Sequence, residues 1–196
     1  MNIERTLITI DDSNFHIEFY FDDVDRNRLS ADDLALLRRA VITALDHEQV
    51  RSAEVSVAVV SAARMQQLNQ QYLQHDYDTD VLSFCLETEE DLGFLLGQLI
   101  VSIDYATQQC ESLGRLHGSE ILLAHELALY LVHGSLHLVG YDDHTPDERA
   151  EMRCLELQIL RPLGITPVWV TLEDDTSSPS MVPAESSAPL LSERQS

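Results

Sequence analysis

The sequence predicts a single α+β domain in which a small mixed β-sheet is packed with helices. Three observations carry this. Short β-branched and alternating runs crowd the first hundred residues, 3.6-period apolar patterns dominate the next sixty, and a Ser/Pro-rich acidic stretch closes the chain. At 196 residues and 44% hydrophobic, the chain has material for one domain with a sizeable core.

Each element has a local reason. Residues 5–10 and 16–21 (HIEFYF) read as strands joined by the turn-forming DDSN. Ser30 followed three residues later by Asp33 resembles a capping box, with Asp in place of Glu or Gln. The helix it opens repeats Leu34, Leu37, Val41 and Leu45 at helical spacing. VSVAVV (55–60) predicts a buried strand, 61–72 a short helix, and VLSF (81–84) and LIVSI (99–103) two more strands. Helices follow over 103–113 and from Ser119, as N-cap, to Leu138, with Gly140 placed to stop the second in a left-handed turn. A last helix begins at Thr145–Pro146 and ends before Pro162. The domain is expected to span 1–172. Residues 173–196 hold three of the six prolines without apolar periodicity, which predicts a disordered acidic tail.

Charge and cysteine usage narrow the function classes. The net charge is −22, and every basic residue is Arg. Such a surface repels phosphate backbones at long range, so nucleic-acid binding would need a local arginine patch. Arg38, Arg39, Arg51 and Arg64 are the candidates for one. Cys85, Cys110 and Cys154 stand far apart with no CxxC and read as reduced, mostly buried thiols. The N-terminus lacks the pattern of a secretory signal, and the apolar region 121–139 is broken by His125, Glu126, His133 and His137. A cytoplasmic protein with no membrane partner is expected.

The chemistry concentrates in HGSLHLVGYDDH (133–144). His133 and His137, four apart on a helix, stack on one face within reach of one metal ion. Beyond Gly140 the chain can turn back and bring His144 over the same point. Three imidazoles with a fourth position open to water make a catalytic zinc arrangement, in which the ion lowers the pKa of water toward neutrality. Zinc peptidases of the HExxH type require Glu after the first His, and position 134 is Gly. A peptidase is therefore disfavoured.

The motif closely resembles HGxLHLxGYDH of the YbeY family of metal-dependent endoribonucleases. LNQQYLQHDYDTDVLSF (68–84) resembles the family's LNxxYRxxDxxTDVLSFP, LGQLIVSIDYA (96–106) its LGDIxIS, and EMRCLELQILRPLGI (151–165) its C-terminal helix. The resemblance implies a zincin-like fold with the metal site on the long helix and the loop after it. It also implies a zinc-dependent, single-strand-specific endoribonuclease of rRNA maturation and ribosome quality control. One Zn²⁺ per chain would activate water for attack on the RNA backbone. The implied partners are ribosomal RNA, the small subunit and a ribosomal protein. His133 and His137 match the family's first two ligands. Six residues rather than five precede His144, because an extra Asp gives Asp142 and Asp143. His144 is taken as the third ligand; Asp143, at the family's position by strict count, is the alternative, and otherwise an acid–base residue or a partner orienting an imidazole.

Two departures bear on activity. Leu73 stands where the family carries an Arg suited to stabilising phosphate charge, and Gln98 replaces the Asp of LGDI. Asp76, Thr79 and Asp80 fit the family segment, and their composition equally suits a turn. Tyr72 and Tyr141 have the rings to stack on bases or to pack. Leu73 and the acidic surface favour a second reading, a non-catalytic ribosome assembly factor with a structural metal site.

Overall fold

The computed structural model describes residues 5–6, 14–73, 79–89, 91, 93–118 and 121–173. Five strands form one sheet: β1 (Arg5–Thr6), β2 (Phe15–Asp22), β3 (Ser52–Val60), β4 (Val81–Glu89) and β5 (Phe94–Ser102). The described residues also hold six α-helices: α1 (Ala31–His47), α2 (Ala62–Leu73), α3 (Ile103–His117), α4 (Leu123–Leu138), α5 (Pro146–Leu160) and α6 (Val168–Glu173). The strand order is β1-β2-β3-β5-β4. β2, β3 and β5 run parallel, while the outer β1 and β4 run antiparallel to their neighbours, so the sheet is mixed as predicted. Parallel neighbours need a crossover, and α1 supplies the one between β2 and β3.

The two faces of the sheet are covered unequally. Phe15, Ile17, Phe19 and Phe21 of β2 and Ala53, Val55, Val57 and Val59 of β3 are buried in one large core. Leu34, Leu37, Val41 and Leu45 of α1, all buried in that core, have the spacing the sequence predicted. Met65 and Leu68 of α2 belong to a smaller cluster with Val60, Leu82 and Ile100. α4 runs through the large core with Leu127, Leu131, Val132 and Leu136 inaccessible to solvent, as befits a helix apolar nearly all round. It lies close to the sheet because two glycines permit it. A Cβ on Gly97 of β5 would come within 2.9 Å of Leu138, and one on Gly134 within 2.9 Å of Ser83 Oγ and 3.0 Å of Leu99 and Val81.

The capping boxes of Ser30–Asp33 and Thr145–Glu148 are both formed. Other expectations need correction. α4 starts at Leu123, not at a Ser119 cap; Leu122 takes the cap position, and its carbonyl receives the amides of His125 and Glu126. Ser119 itself lies outside the described residues. β4 and β5 outrun their apolar runs because pairing with each other carries them to Glu89 and Phe94. The three cysteines are free but not mostly buried: Cys85 on edge strand β4 and Cys154 on the outer side of α5 are exposed, and Cys110 is half-buried. Residues 7–10 of the first expected strand and 174–196 of the expected tail lie outside the described residues, and α6 ends at Glu173. No helix among the described residues is long and apolar enough to cross a membrane.

Candidate metal centre

α4 brings His133 and His137 together one turn apart. Their Nε2 atoms lie 3.0 Å from each other, with the rings at 89°. The far nitrogen of each ring is held separately. Nδ1 of His137 donates to the Tyr141 carbonyl at 2.9 Å, and Nδ1 of His133 faces Glu156 Oε1 at 2.7 Å. Committing both Nδ1 atoms as donors leaves both Nε2 lone pairs facing one point. When both rings are neutral no proton separates those lone pairs, and a cation relieves the repulsion. Two imidazoles on a tetrahedral zinc, with bonds near 2.05 Å, would set their nitrogens about 3.3 Å apart. The donor set and spacing therefore fit a small divalent ion.

The chain returns over this pair because α4 ends sharply. Gly140 takes φ +99°, and the Tyr141 amide bonds back to the Leu136 carbonyl at 3.1 Å. The Tyr141 hydroxyl then donates to Glu48 Oε2 at 2.9 Å, tying the loop to the C-terminus of α1. Burial and the Glu48 carboxylate push the Tyr141 hydroxyl up to about 12, so it stays a donor. Tyr141 thus has a structural task in the loop.

This turn carries Asp143 to the histidines. Its Oδ2 is 4.0 Å from His133 Nε2, and ligand atoms of His133, His137 and Asp143 all lie within 4.8 Å of one another. His144 goes elsewhere: its side chain is 82% exposed, and its Nε2 lies 3.4 Å from Asp142 Oδ2. It groups with Asp142 and Asp143 rather than with the helix pair. From α5, Arg149 Nη1 donates to the carbonyls of Asp143 at 2.9 Å and His144 at 3.0 Å.

Glu156 was not singled out by the sequence. It is a buried carboxylate on α5, occupying the inward stripe with Met152 and Ile159, where an apolar residue belongs. An acid on such a stripe is the signal that would have found it. Burial alone would lower the His133 pKa. The hydrogen bond and charge of Glu156, with the charges of Asp80 and Asp143, outweigh burial and raise it above 6.5. Asp80 ends the loop before β4, where its Oδ1 accepts from the Val81 amide at 2.8 Å and from Thr79 Oγ1 at 3.3 Å. Thr79 and Asp80 therefore close a turn and also bring negative charge toward His133. Deeper on α4, Glu126 accepts from the Tyr130 hydroxyl at 2.7 Å, and burial raises its pKa.

Position 134 has no room for a general base. The Gly134 Cβ direction points into β4 and β5. The four arginine candidates are spread over both ends of the sheet, with Arg39 exposed on α1. Arg38 is buried on the Phe15 carbonyl at one end of β2, and Arg64 pairs with Asp22 at the other. Arg51 packs beside Gly93. Leu73 is the last residue of α2, and His75 and Asp76 lie outside the described residues. Tyr72 is 55% exposed and meets Phe84 edge-on at 5.3 Å. Gln98 lies opposite Phe84 on β5.

Comparison with known proteins adds a family. The family model described as Endoribonuclease YbeY matches residues 21–164. The Endoribonuclease YbeY of Bacillus licheniformis is 36% identical over 152 residues, covering 72% of this chain and 92% of its own. That of a Roseiflexus species is 39% identical over 144 residues, covering 68% and 86%. A solved protein of Thermotoga maritima is 22% identical with a TM-score of 0.43, covering 86% and 99%.

Proposed function

This chain belongs to the endoribonuclease YbeY family, and from that premise we propose that it is a metal-dependent hydrolytic endoribonuclease. Its substrate on this reading is single-stranded RNA, cut in rRNA maturation and ribosome quality control in the cytoplasm, on or near the small subunit and with a ribosomal protein as partner. The observation that carries the reading is the pair of Nε2 atoms 3.0 Å apart, each aimed by an anchored Nδ1.

His133 and His137 would hold one divalent ion, zinc by preference for two imidazoles and a carboxylate, and Asp143 would complete the set from the loop. The arrangement supports Asp143 over His144 as third ligand, because the His144 ring turns toward Asp142 and solvent. Such an ion supplies Lewis acidity and lowers the pKa of water for attack on phosphorus. Glu156 fixes the His133 ring and its tautomer, and the Tyr141 carbonyl does the same for His137. Asp142, exposed at the mouth of the loop, is the carboxylate available to accept the proton of the attacking water.

Leu73 and the scattered arginines favour a second reading, an assembly factor in which the same metal is structural. One experiment separates them. Purified protein is incubated with a single-stranded ribosomal RNA fragment, beside a chelated sample and His137→Ala, with metal content measured on each. Cleavage by the metal-loaded wild type alone supports the nuclease. One metal per chain with no cleavage sinks it and leaves the assembly factor.

A further inference from the structure

The centre is short of positive charge for a phosphate ligand. Asp80, Asp143 and Glu156 bear on His133, and Asp142 adds a further carboxylate in the same loop, in a chain of net charge −22. A divalent ion on two neutral imidazoles and one carboxylate keeps a single net positive charge, and Glu156 behind His133 offsets that. A phosphodiester approaching this point needs a second cation. Arg28 is bound to Asp104 and Thr107, Arg64 to Asp22, and Arg38 to a buried carbonyl. Arg153 lies over the Trp169 ring.

Arg149 is placed differently. It is exposed on the first turns of α5, and its Nη1 rests on the carbonyls of Asp143 and His144, on either side of the peptide that links them. Carbonyl oxygens do not neutralise a guanidinium, and Arg149 forms no ion pair among the described residues. One nitrogen anchors it to the loop that carries Asp143. The rest of the planar fork remains to grip two phosphate oxygens. We propose that Arg149 is the phosphate-binding residue of the centre, meeting a backbone phosphodiester of single-stranded RNA in the role that Leu73 cannot fill. The inference rests on the nuclease reading above.

The test is binding of a short fluorescein-labelled single-stranded RNA by anisotropy across a salt series. Wild type, Arg149→Gln, Arg149→Lys and Arg115→Gln are compared, with metal content measured on each. Arg115 is an exposed α3 residue and controls for loss of one positive charge. Arg149→Gln is expected to weaken binding roughly tenfold. It should also lower the slope of log K against log salt by about 0.7, the loss of one phosphate contact. Arg149→Lys should keep the slope and lose part of the affinity, and Arg115→Gln should change neither. Unchanged affinity and slope in Arg149→Gln overturn the proposal while the nuclease reading stands. Loss of metal in step with loss of RNA overturns it too, because Arg149 would then act only through the loop. Failure of the wild type to bind RNA overturns both.

Discussion

On one face of the sheet, α1, α4 and α5 bury a continuous core that runs from Phe15 to Ile165. On the other, Met65 and Leu68 of α2 share a small cluster with Val60, Leu82 and Ile100. The histidine pair belongs to the thick side. There, neighbours on every hand fix α4, and the Nδ1 partners come from α5 and from the loop that α4 itself ends in. Leu73, where the motif departs from the family's, ends α2 on the thin side. A metal site tolerates errors of a few tenths of an ångström, and close packing supplies that precision. The thin side buries fewer side chains, and a residue change there disturbs less.

The contrast between the two faces can be measured. The largest effect should come from His137→Ala, which is expected to lose metal binding by well over a hundredfold, read by metal content after dialysis. An alanine that still retained one metal per chain would show that the ion sits elsewhere. Core truncation comes next. Leu131→Ala, at a site with no solvent exposure, should cost about 2–5 kcal/mol in urea unfolding, and Leu68→Ala on the thin face less than half as much. Equal losses would erase the distinction between the faces.

Gly134→Ala should cost about 1–3 kcal/mol, because the added methyl must displace Ser83, Leu99 or Val81 from a helix that cannot move away. Glu156→Gln should weaken metal binding about 10- to 100-fold by unsettling the His133 ring, as titration calorimetry would detect. It also has a pH signature. The fold raises the His133 pKa above 6.5, so in the metal-free protein protonation of His133 stabilises the native state below that pH. This stabilisation is lost as pH rises through the raised value. Removing the Glu156 charge should flatten that dependence in unfolding curves taken at pH 6 and pH 8. The smallest effect is expected from deleting 174–196, which is the expected 173–196 tail without Glu173, the last residue of α6. Metal content and melting temperature should stay within error, and a drop in either would move the domain boundary.

Local signals were legible wherever a residue acts on its own few neighbours. The Ser30 and Thr145 caps, the α1 stripe, the stop at Gly140 and the one-turn spacing of His133 and His137 all follow from backbone geometry within about four residues. Pairing ran past what the sequence indicated, because the ends of β4 and β5 are set by each other rather than by their own composition. The start of α4 was misread because Ser119 offers a good cap, while the extended backbone at Leu122 opens the helix without one.

An acidic α+β domain, an HxxxH helix and a loop returning after Gly140 were thus legible in the chain alone. Those depend on short-range sterics and on the period of the apolar pattern. Tertiary packing selects the loop side chain that meets the histidines, because one residue of loop length separates Asp143 from His144, and Tyr141 on Glu48 and Arg149 on two carbonyls set the register. It alone brought Glu156 behind His133 across 23 positions, and it alone turned Gly134 toward Ser83. Helix packing fixes both contacts, and no local rule of the chain encodes them.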